Sequence, residues 1–321
     1  MIARVAVMPA ILASPHAQLV AVASRSSGES GQAASLLPGL VVDDSHALDD
    51  VHVHADYQGV LDDEAVEAVY IPLPNGLHEE WTKRCATAGK HVLCEKPLAL
   101  DASAARAMAT ACSDAGVTLA EAYMTPFHPR SARLIDLARS GALGNLISAT
   151  SRFTFPLESP GDHRWDPILG GGALADVGIY CLAPIIAIAG ALPRQQISTG
   201  HFTLRGVDAW LSAWLDFADG FSGSITCAFD APEHQSIEVV GTAASVRVER
   251  AFTPGVGDTQ IELRHRDGTR TTIDTGGGDS YQLMIEDFAR VVRGGTPARS
   301  VDEAIGLIGL VEHLKQVAQS R

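Results

Sequence analysis

Between Gln18 and Ala120 the chain alternates short apolar runs with longer amphipathic ones, and this rhythm narrows the available folds more than any other feature. Gln18–Ser24 (QLVAVAS) and Ala68–Leu73 (AVYIPL) are too apolar for strands with one wet face. They suit strands of a parallel sheet covered on both sides. Leu77–Ala88 reads as a helix, with Gly89 placed for its left-handed end. His91–Cys94 is another short strand. Asp101 can cap an alanine-rich helix running to about Asp114, and Val117–Ala120 supplies one more strand. Strand and helix in this order make a doubly wound α/β domain.

After about Ala122 the period changes. Pro129–Ser140 reads as a helix closed by Gly141. Alternating strands then follow at Ala149–Phe155, Ala209–Phe217, Gly223–Phe229, Ile237–Val240, Ser245–Val248 and Gln260–His265, with Asp219-Gly220 and Asp267-Gly268 as hairpin turns. Tyr281–Val292 and Val301–Gln319 read as closing helices. The expected architecture is therefore a Rossmann-type domain over residues 1–122 and an α+β domain with a large, mostly antiparallel sheet over residues 123–321.

Charge removes several function classes. There are 38 acids against 24 Lys plus Arg, a net charge of −14, and no Lys or Arg from Ser26 to Thr82. Nucleic acid and anionic membranes are poor partners for such a surface. The longest apolar run, Cys181–Leu192, contains Pro184 and Gly190 and is too short to span a bilayer. Five cysteines without a C-x-x-C pair favour buried thiols in a reducing cytoplasm. Pro9 interrupts the apolar stretch Val5–Ala13, which argues against a secretory signal.

Three segments can carry chemistry. In HVLCEKPLAL, Glu95-Lys96 ends a buried strand, at the edge where open α/β sheets bind ligands. A lysine there can hydrogen-bond a substrate oxygen, although an ordinary surface Lys–Glu pair would read the same. In GGGALADVGIY, Asp176 and Tyr180 are four apart and share a helix face, so a phenol could stand beside a cation as a general acid. The glycines would let backbone approach something closely, such as a ligand. Equally, Tyr180 could be a half-buried core residue and Asp176 a cap. In PNGLHEEW, Asn75 and His78 could contact a ribose or phosphate. His46, His52 and His54 cluster in what reads as an exposed acidic loop, Leu37–Asp56, so no metal site is expected.

Ile71-Pro72-Leu73-Pro74-Asn75-x-x-His78, Glu95-Lys96-Pro97 and Gly170-Gly171-Gly172-Ala173-Leu174-x-Asp176-x-Gly178-x-Tyr180 occur in order at characteristic separations. In this the chain resembles the glucose–fructose oxidoreductase / inositol dehydrogenase / MocA family (Gfo/Idh/MocA) over nearly its whole length. The resemblance implies a nicotinamide cofactor on the first domain, with Leu73, Pro74, Asn75, His78, Glu95 and Lys96 among its contacts. It also implies that Lys96 and Tyr180 manage the proton of the reacting oxygen, that Asp176 orients them or the substrate, and that Arg164 and Trp165 line the substrate pocket. Tyrosine at 180 looks like the sugar-ketoreductase, aldose-dehydrogenase and dihydrodiol-dehydrogenase branches. Pro126 stands where many relatives carry a basic residue. A sugar-like or vicinal-diol substrate is thus expected, with a homodimer or homotetramer built through the second sheet. The alternative is a non-catalytic ligand- or nucleotide-sensing regulator of the same fold.

The second strand ends in Ser24-Arg25 with no acid before Glu29, which favours NADP over NAD because arginine accommodates a 2′-phosphate. No glycine precedes Gly28, although a Rossmann domain opens with a strand and a glycine turn. Residues 2–25 therefore read as the family's first helix and second strand, with the first strand and phosphate loop expected upstream of Met1. Otherwise Ala3–Val7 is itself the first strand and Met8-Pro9-Ala10 replaces the glycines. The first reading is preferred, because only about 17 positions separate Val7 from Ser24.

Overall fold

A computed structural model of the chain describes residues 2–23, 48 and 50–320. The opening segment is helical. A wide π-helical turn, Ala3–Val7, runs directly into helix α1 (Met8–Ala13), where Pro9 is tolerated in the first turn. Val7 and Ala10 face the core while Val5 faces solvent. Ala3–Val7 is thus no strand.

Strand β1 (Ala21–Ala23) pairs in parallel with β2 (His52–His54). The latter corrects the expectation of a loop across Leu37–Asp56. Val51 and Val53 turn inward onto Val22 and its neighbours, and alternation then places His52 and His54 together on the opposite face. Residues 37–47 and 49 of that segment lie outside the described residues, as do Ser24 and Arg25. Helix α2 (Tyr57–Asp62) leads to a second parallel sheet of β3 (Ala68–Ile71), β4 (His91–Glu95) and β5 (Leu119–Ala122), in that spatial order. Among the described residues no ladder joins the two parallel sheets. Helices α3 (His78–Thr87) and α4 (Ala102–Asp114) connect the three strands. The Asp101 carboxylate caps α4 by accepting the Ala104 N–H at 2.8 Å. Strand β5 starts two residues later than the pattern predicts, because the Val117 N–H folds back to the Cys112 carbonyl to finish α4.

The rest of the chain builds an eight-stranded sheet from β6 (Leu146–Pro156), β7 (Gln195–Phe202), β8 (Asp208–Asp216), β9 (Ser222–Ala228), β10 (Asp230–Gly241), β11 (Ala244–Glu249), β12 (Gln260–His265) and β13 (Arg270–Asp274). Its order is β13-β12-β11-β10-β6-β9-β8-β7, with every neighbour antiparallel except the parallel pair β6–β9. Helices α5 (Pro129–Arg139) and α6 (Ile179–Ala189) follow β5 and the glycine segment respectively, and α7 (Ser280–Val292) and α8 (Val301–Gln319) close the chain. Helix α8 carries a capping box between Ser300 and Glu303. One of its faces, Ala304 and Ile308, joins the core under β3–β5. Another, with Leu307, Leu310 and Leu314, joins the core of the large sheet. A single amphipathic helix thus fastens the two halves. Among the described residues no helix is long and apolar enough to cross a membrane. All five cysteines are free and buried.

Candidate active site

One half of the site is a loop clamped to the parallel sheet. Val92, Leu93 and Cys94 bury β4 and deliver Glu95 and Lys96 to its carboxyl end, where the Lys96–Pro97 peptide is cis. The Leu98 N–H donates to the Glu121 carboxylate at 2.8 Å, and Glu121 in turn pairs with Arg299. Glu95 turns inward: it accepts the Tyr70 hydroxyl at 2.6 Å and the Lys96 N–H at 3.1 Å, and its burial pushes the carboxyl pKa up. His78 is fully buried, with Nε2 2.8 Å from the Leu73 carbonyl and Nδ1 3.0 Å from the Pro97 carbonyl. Burial lowers its pKa, so the neutral ring donates through one nitrogen at a time. Donating through Nδ1 it ties the start of α3 to the turn after β4, and donating through Nε2 it closes the turn after β3.

The other half is the glycine segment. Gly171 and Gly172 donate their N–H groups to the Asp166 and Arg164 carbonyls at 2.9 and 3.0 Å. A Cβ on Gly171 would lie 2.3 Å from the Arg164 carbonyl oxygen. One on Gly172, where φ is +131°, would lie 2.2 Å from the Asp208 carboxylate. The close approach that these glycines permit is therefore to the protein's own chain. Asp208, buried at the start of β8, accepts the Leu174 N–H at 2.6 Å and caps the helix beyond. That helix opens as a π-helical turn, Leu174–Gly178, before α6 continues, and wide turns of this kind gather at functional sites.

The halves meet at Lys96. Its Nζ donates to the Asp176 carboxylate at 2.7 Å and to the Asp176 carbonyl at 2.8 Å, and it lies 4.9 Å from the centre of the Tyr180 ring. The second Asp176 oxygen takes the Arg164 Nε at 2.8 Å. Burial opposes the charge on Asp176, but Lys96 and Arg164 outweigh it and hold the carboxyl below its usual range. Tyr180 is buried among Tyr123, Phe153 and Phe252, with ring centres 5.3, 5.5 and 6.2 Å away. Burial, together with the nearby Tyr281 and Glu95, pushes its pKa well up. Among the described residues its hydroxyl has no oxygen or nitrogen partner, and its one polar neighbour is the Met124 sulfur at 3.9 Å.

Lys96, Asp176, Tyr180 and Arg164 thus converge. Trp165 packs edge-on against Phe229 at 5.3 Å beside them. Leu73 and Pro74 sit at the carboxyl end of β3, and the Asn75 amide donates to the Gly170 carbonyl at 2.9 Å, joining the halves a second time. His78 and Glu95 face inward, so in this geometry they organise the loops rather than reach into the cleft. Ser24 and Arg25 lie outside the described residues. Sequence reasoning missed Tyr70, Glu121, Asp208 and Arg299. Of these, only Glu121 left a readable signal, as an acid inside an apolar strand. A separate cavity of about 650 Å³ lies behind Tyr123, between α5, α6 and α8, and includes none of Lys96, Asp176 and Tyr180.

A parallel sheet ending in a lysine, set against a helix of the second domain that presents a buried phenol, defines a Rossmann-type oxidoreductase. Residues 1–123 match the model of the oxidoreductase family with an NAD-binding Rossmann fold, and residues 131–247 match that of the GFO/IDH/MocA C-terminal domain. The chain is 34% identical to D-xylose 1-dehydrogenase (NADP(+)) 2 of Haloferax volcanii, over 98% of this chain and 93% of that protein. It is 32% identical to dTDP-3,4-didehydro-2,6-dideoxy-alpha-D-glucose 3-reductase of Streptomyces violaceoruber, over 98% of this chain and 90% of that one. The 3-ketoreductase KijD10 of Actinomadura kijaniata, solved with NADP and TDP-benzene, superposes with a TM-score of 0.87 at 26% identity, covering 98% of this chain and 94% of that chain. The chain belongs to the Gfo/Idh/MocA family of oxidoreductases.

Proposed function

We propose that the chain is an NADP-dependent oxidoreductase that works on a sugar-like or vicinal-diol substrate at the junction of Lys96, Asp176 and Tyr180. The observation that carries this reading is the Tyr180 hydroxyl, a buried donor without an oxygen or nitrogen partner among the described residues, beside a lysine ammonium. A buried hydroxyl left unpaired is costly unless a ligand completes it. A substrate oxygen placed between Tyr180 and Lys96 would do so.

The carboxyl ends of β3 and β4 suit the nicotinamide end of the cofactor, which fits Leu73, Pro74, Asn75 and Lys96 as its contacts, with Glu95 and His78 holding their backbone. Ser24 and Arg25 are proposed to take the ribose 2′-phosphate. When bound, NADP supplies or accepts a hydride at the nicotinamide ring. The chain's own residues manage the matching proton. Burial keeps the Tyr180 phenol protonated, so it is poised to donate to a carbonyl oxygen as that oxygen gains charge. The Lys96 ammonium stabilises the same charge from its anchored position. Asp176 fixes Lys96 with one carboxylate oxygen and Arg164 with the other, and Arg164 and Trp165 are proposed to receive the substrate hydroxyls.

The division at 122/123 separates cofactor from substrate functions, with α8 spanning it. Ile147, Ile197 and Trp214 are about half exposed on the large sheet, which supports assembly of a dimer or tetramer through that face. The buried free thiols support a reducing compartment such as the cytoplasm. Oxidation of NADPH and of NADH, followed with a panel of keto-sugars and diketones, and the reverse reaction with aldoses and diols, tests the reading. No turnover with any of them, in either direction, would sink it.

A further inference from the structure

Away from this site, β2 presents His52 and His54 two residues apart on one face, the spacing at which a strand brings two imidazoles to the same side. Their ring centres are 6.3 Å apart and their planes nearly perpendicular at 79°. Asp63, in the turn between α2 and β3, reaches in from outside the strand. Its Oδ2 lies 2.6 Å from His52 Nδ1 and 2.9 Å from His54 Nε2, and the three atoms all fall within 4.8 Å of one another. Only 9% of the Asp63 side chain is exposed, so this carboxylate is part of the fold rather than a solvated surface acid.

We propose that His52, His54 and Asp63 form a binding site for a borderline divalent cation of the zinc class. Two neutral imidazoles and one carboxylate are the donors such ions take, at about 2.0–2.2 Å, with water completing the shell. Around a tetrahedral ion at those bond lengths the donor atoms stand roughly 3.3–3.5 Å apart. The two His–Asp separations need to open by roughly 0.4–0.9 Å and the two imidazole nitrogens, within 4.8 Å of one another, to settle at the same spacing, which rotation of the exposed His52 ring and of the carboxylate supplies. The site also has anchored supports. Asp63 Oδ1 accepts the Ala65 N–H at 2.9 Å, which leaves Oδ2 turned towards the imidazoles. Lys90, close by, donates to the Asp63 and Val66 carbonyls at 2.8 and 2.7 Å, and so fixes the turn through its backbone. The chain's net charge of −14 favours cations generally.

The location gives such an ion a task. β1 and β2 are three residues each, and among the described residues their core cluster has Val22 and Val51 as its buried members. Among the described residues no ladder joins them to β3–β5. An ion held by β2 and by the turn entering β3 would clip the two parallel sheets together.

The test uses the whole, tag-free chain after chelator treatment. Zn²⁺ titrated by calorimetry should bind once per chain, with a Kd of ~1 μM or tighter, and should raise the melting temperature. His52→Ala, His54→Ala and Asp63→Asn should each weaken binding ~10–100-fold and abolish the thermal shift. Co²⁺ should give visible absorption bands in the wild type that the variants lose. His52→Gln, at the most exposed of the three positions, keeps the comparison valid if another variant fails to fold. Absence of saturable Zn²⁺ binding up to ~1 mM would overturn the proposal, leaving a hydrogen-bonded His–Asp–His cluster. So would binding that is unchanged in the variants. None of these readouts depends on turnover.

Discussion

Replacing Tyr180 by phenylalanine separates chemistry from structure unusually well at this position. The ring makes the packing contacts, with Tyr123, Phe153 and Phe252 around it and the Lys96 ammonium 4.9 Å from its centre. Phenylalanine keeps all of them. Among the described residues the hydroxyl contributes only the long contact to the Met124 sulfur. Deleting it therefore removes no strong hydrogen bond, and it relieves a buried polar group of an incomplete environment. Tyr180→Phe should leave unfolding free energy within ~0.5 kcal/mol of wild type, below the ~1 kcal/mol of an ordinary intramolecular hydrogen bond. Loss of a general acid, in contrast, costs ~10²–10⁴-fold in rate. That is about 2.7–5.4 kcal/mol of transition-state stabilisation at 1.36 kcal/mol per decade. Denaturant unfolding, NADPH binding by fluorescence and steady-state kinetics measure the three quantities on one preparation. Stability and cofactor affinity should hold while kcat falls. A kcat within threefold of wild type would refute the proton-donor role. Equal losses of stability and rate would show that the hydroxyl is a packing element instead.

The remaining predictions address the groups around that phenol. Lys96→Ala should lower kcat by ~10²–10⁴-fold. Its stability cost should be ~1–3 kcal/mol, below that of an orphaned buried charge, because Asp176 keeps Arg164; kinetics and denaturant melts check both. Gly172→Ala drives a methyl to within 2.2 Å of the Asp208 carboxylate at a φ of +131°, and should cost at least ~2 kcal/mol in unfolding free energy. Asp176 tests the electrostatics. Its native pKa lies below the ordinary 3.8, so its contribution is complete above that value and is lost as pH falls through the lowered one. The melting-temperature gap between wild type and Asp176→Asn should therefore narrow as pH is taken from 6 to about 3, and a gap constant with pH would contradict the pairing.

Much of this fold could be read in one dimension, and what escaped has a common cause. Helices with strong caps, such as α4 behind Asp101 and α8 behind Ser300, and strands with one buried face, such as β12, fall where the pattern puts them. Besides β2, a strand of only three residues, the unpredicted strands are β7 and β13, the two edges of the eight-stranded sheet. An edge strand carries polar residues on its free side, and QQISTGHF and RTTID accordingly lack the apolar alternation of interior strands. The site divides in the same way. Lys96 and Tyr180 stand out locally, one at the end of a buried strand and the other after a glycine run. Their supports are remote in sequence: Asp208 from Leu174, and Arg299 from Glu121. No spacing rule reaches that far. The glycine triplet was legible as a close approach, but the approaching group, the backbone of Arg164 and the carboxylate of Asp208, is visible only in three dimensions.

Those remote supports also explain why catalysis here should be sensitive to substitutions far from the substrate. On one side, Glu121, Arg299 and His78 lock the loop bearing Lys96 to the parallel sheet. On the other, Asp208 and the glycine cradle lock the turn bearing Asp176 and Tyr180 to the mixed sheet. Each half is held by its own hydrogen bonds, and across the cleft they are joined by the Lys96–Asp176 pair, by Asn75 on the Gly170 carbonyl and by the Gly76 N–H on the Leu169 carbonyl at 3.2 Å. A hydride transfer needs donor, acceptor and proton source aligned to within a fraction of an ångström. Two stiff halves with few polar links can achieve that alignment, while any change to a lock is passed on to the reacting atoms as a displacement of a whole half. Loss of the Glu121 carboxylate, which no substrate atom need touch, should consequently lower kcat more than it raises KM.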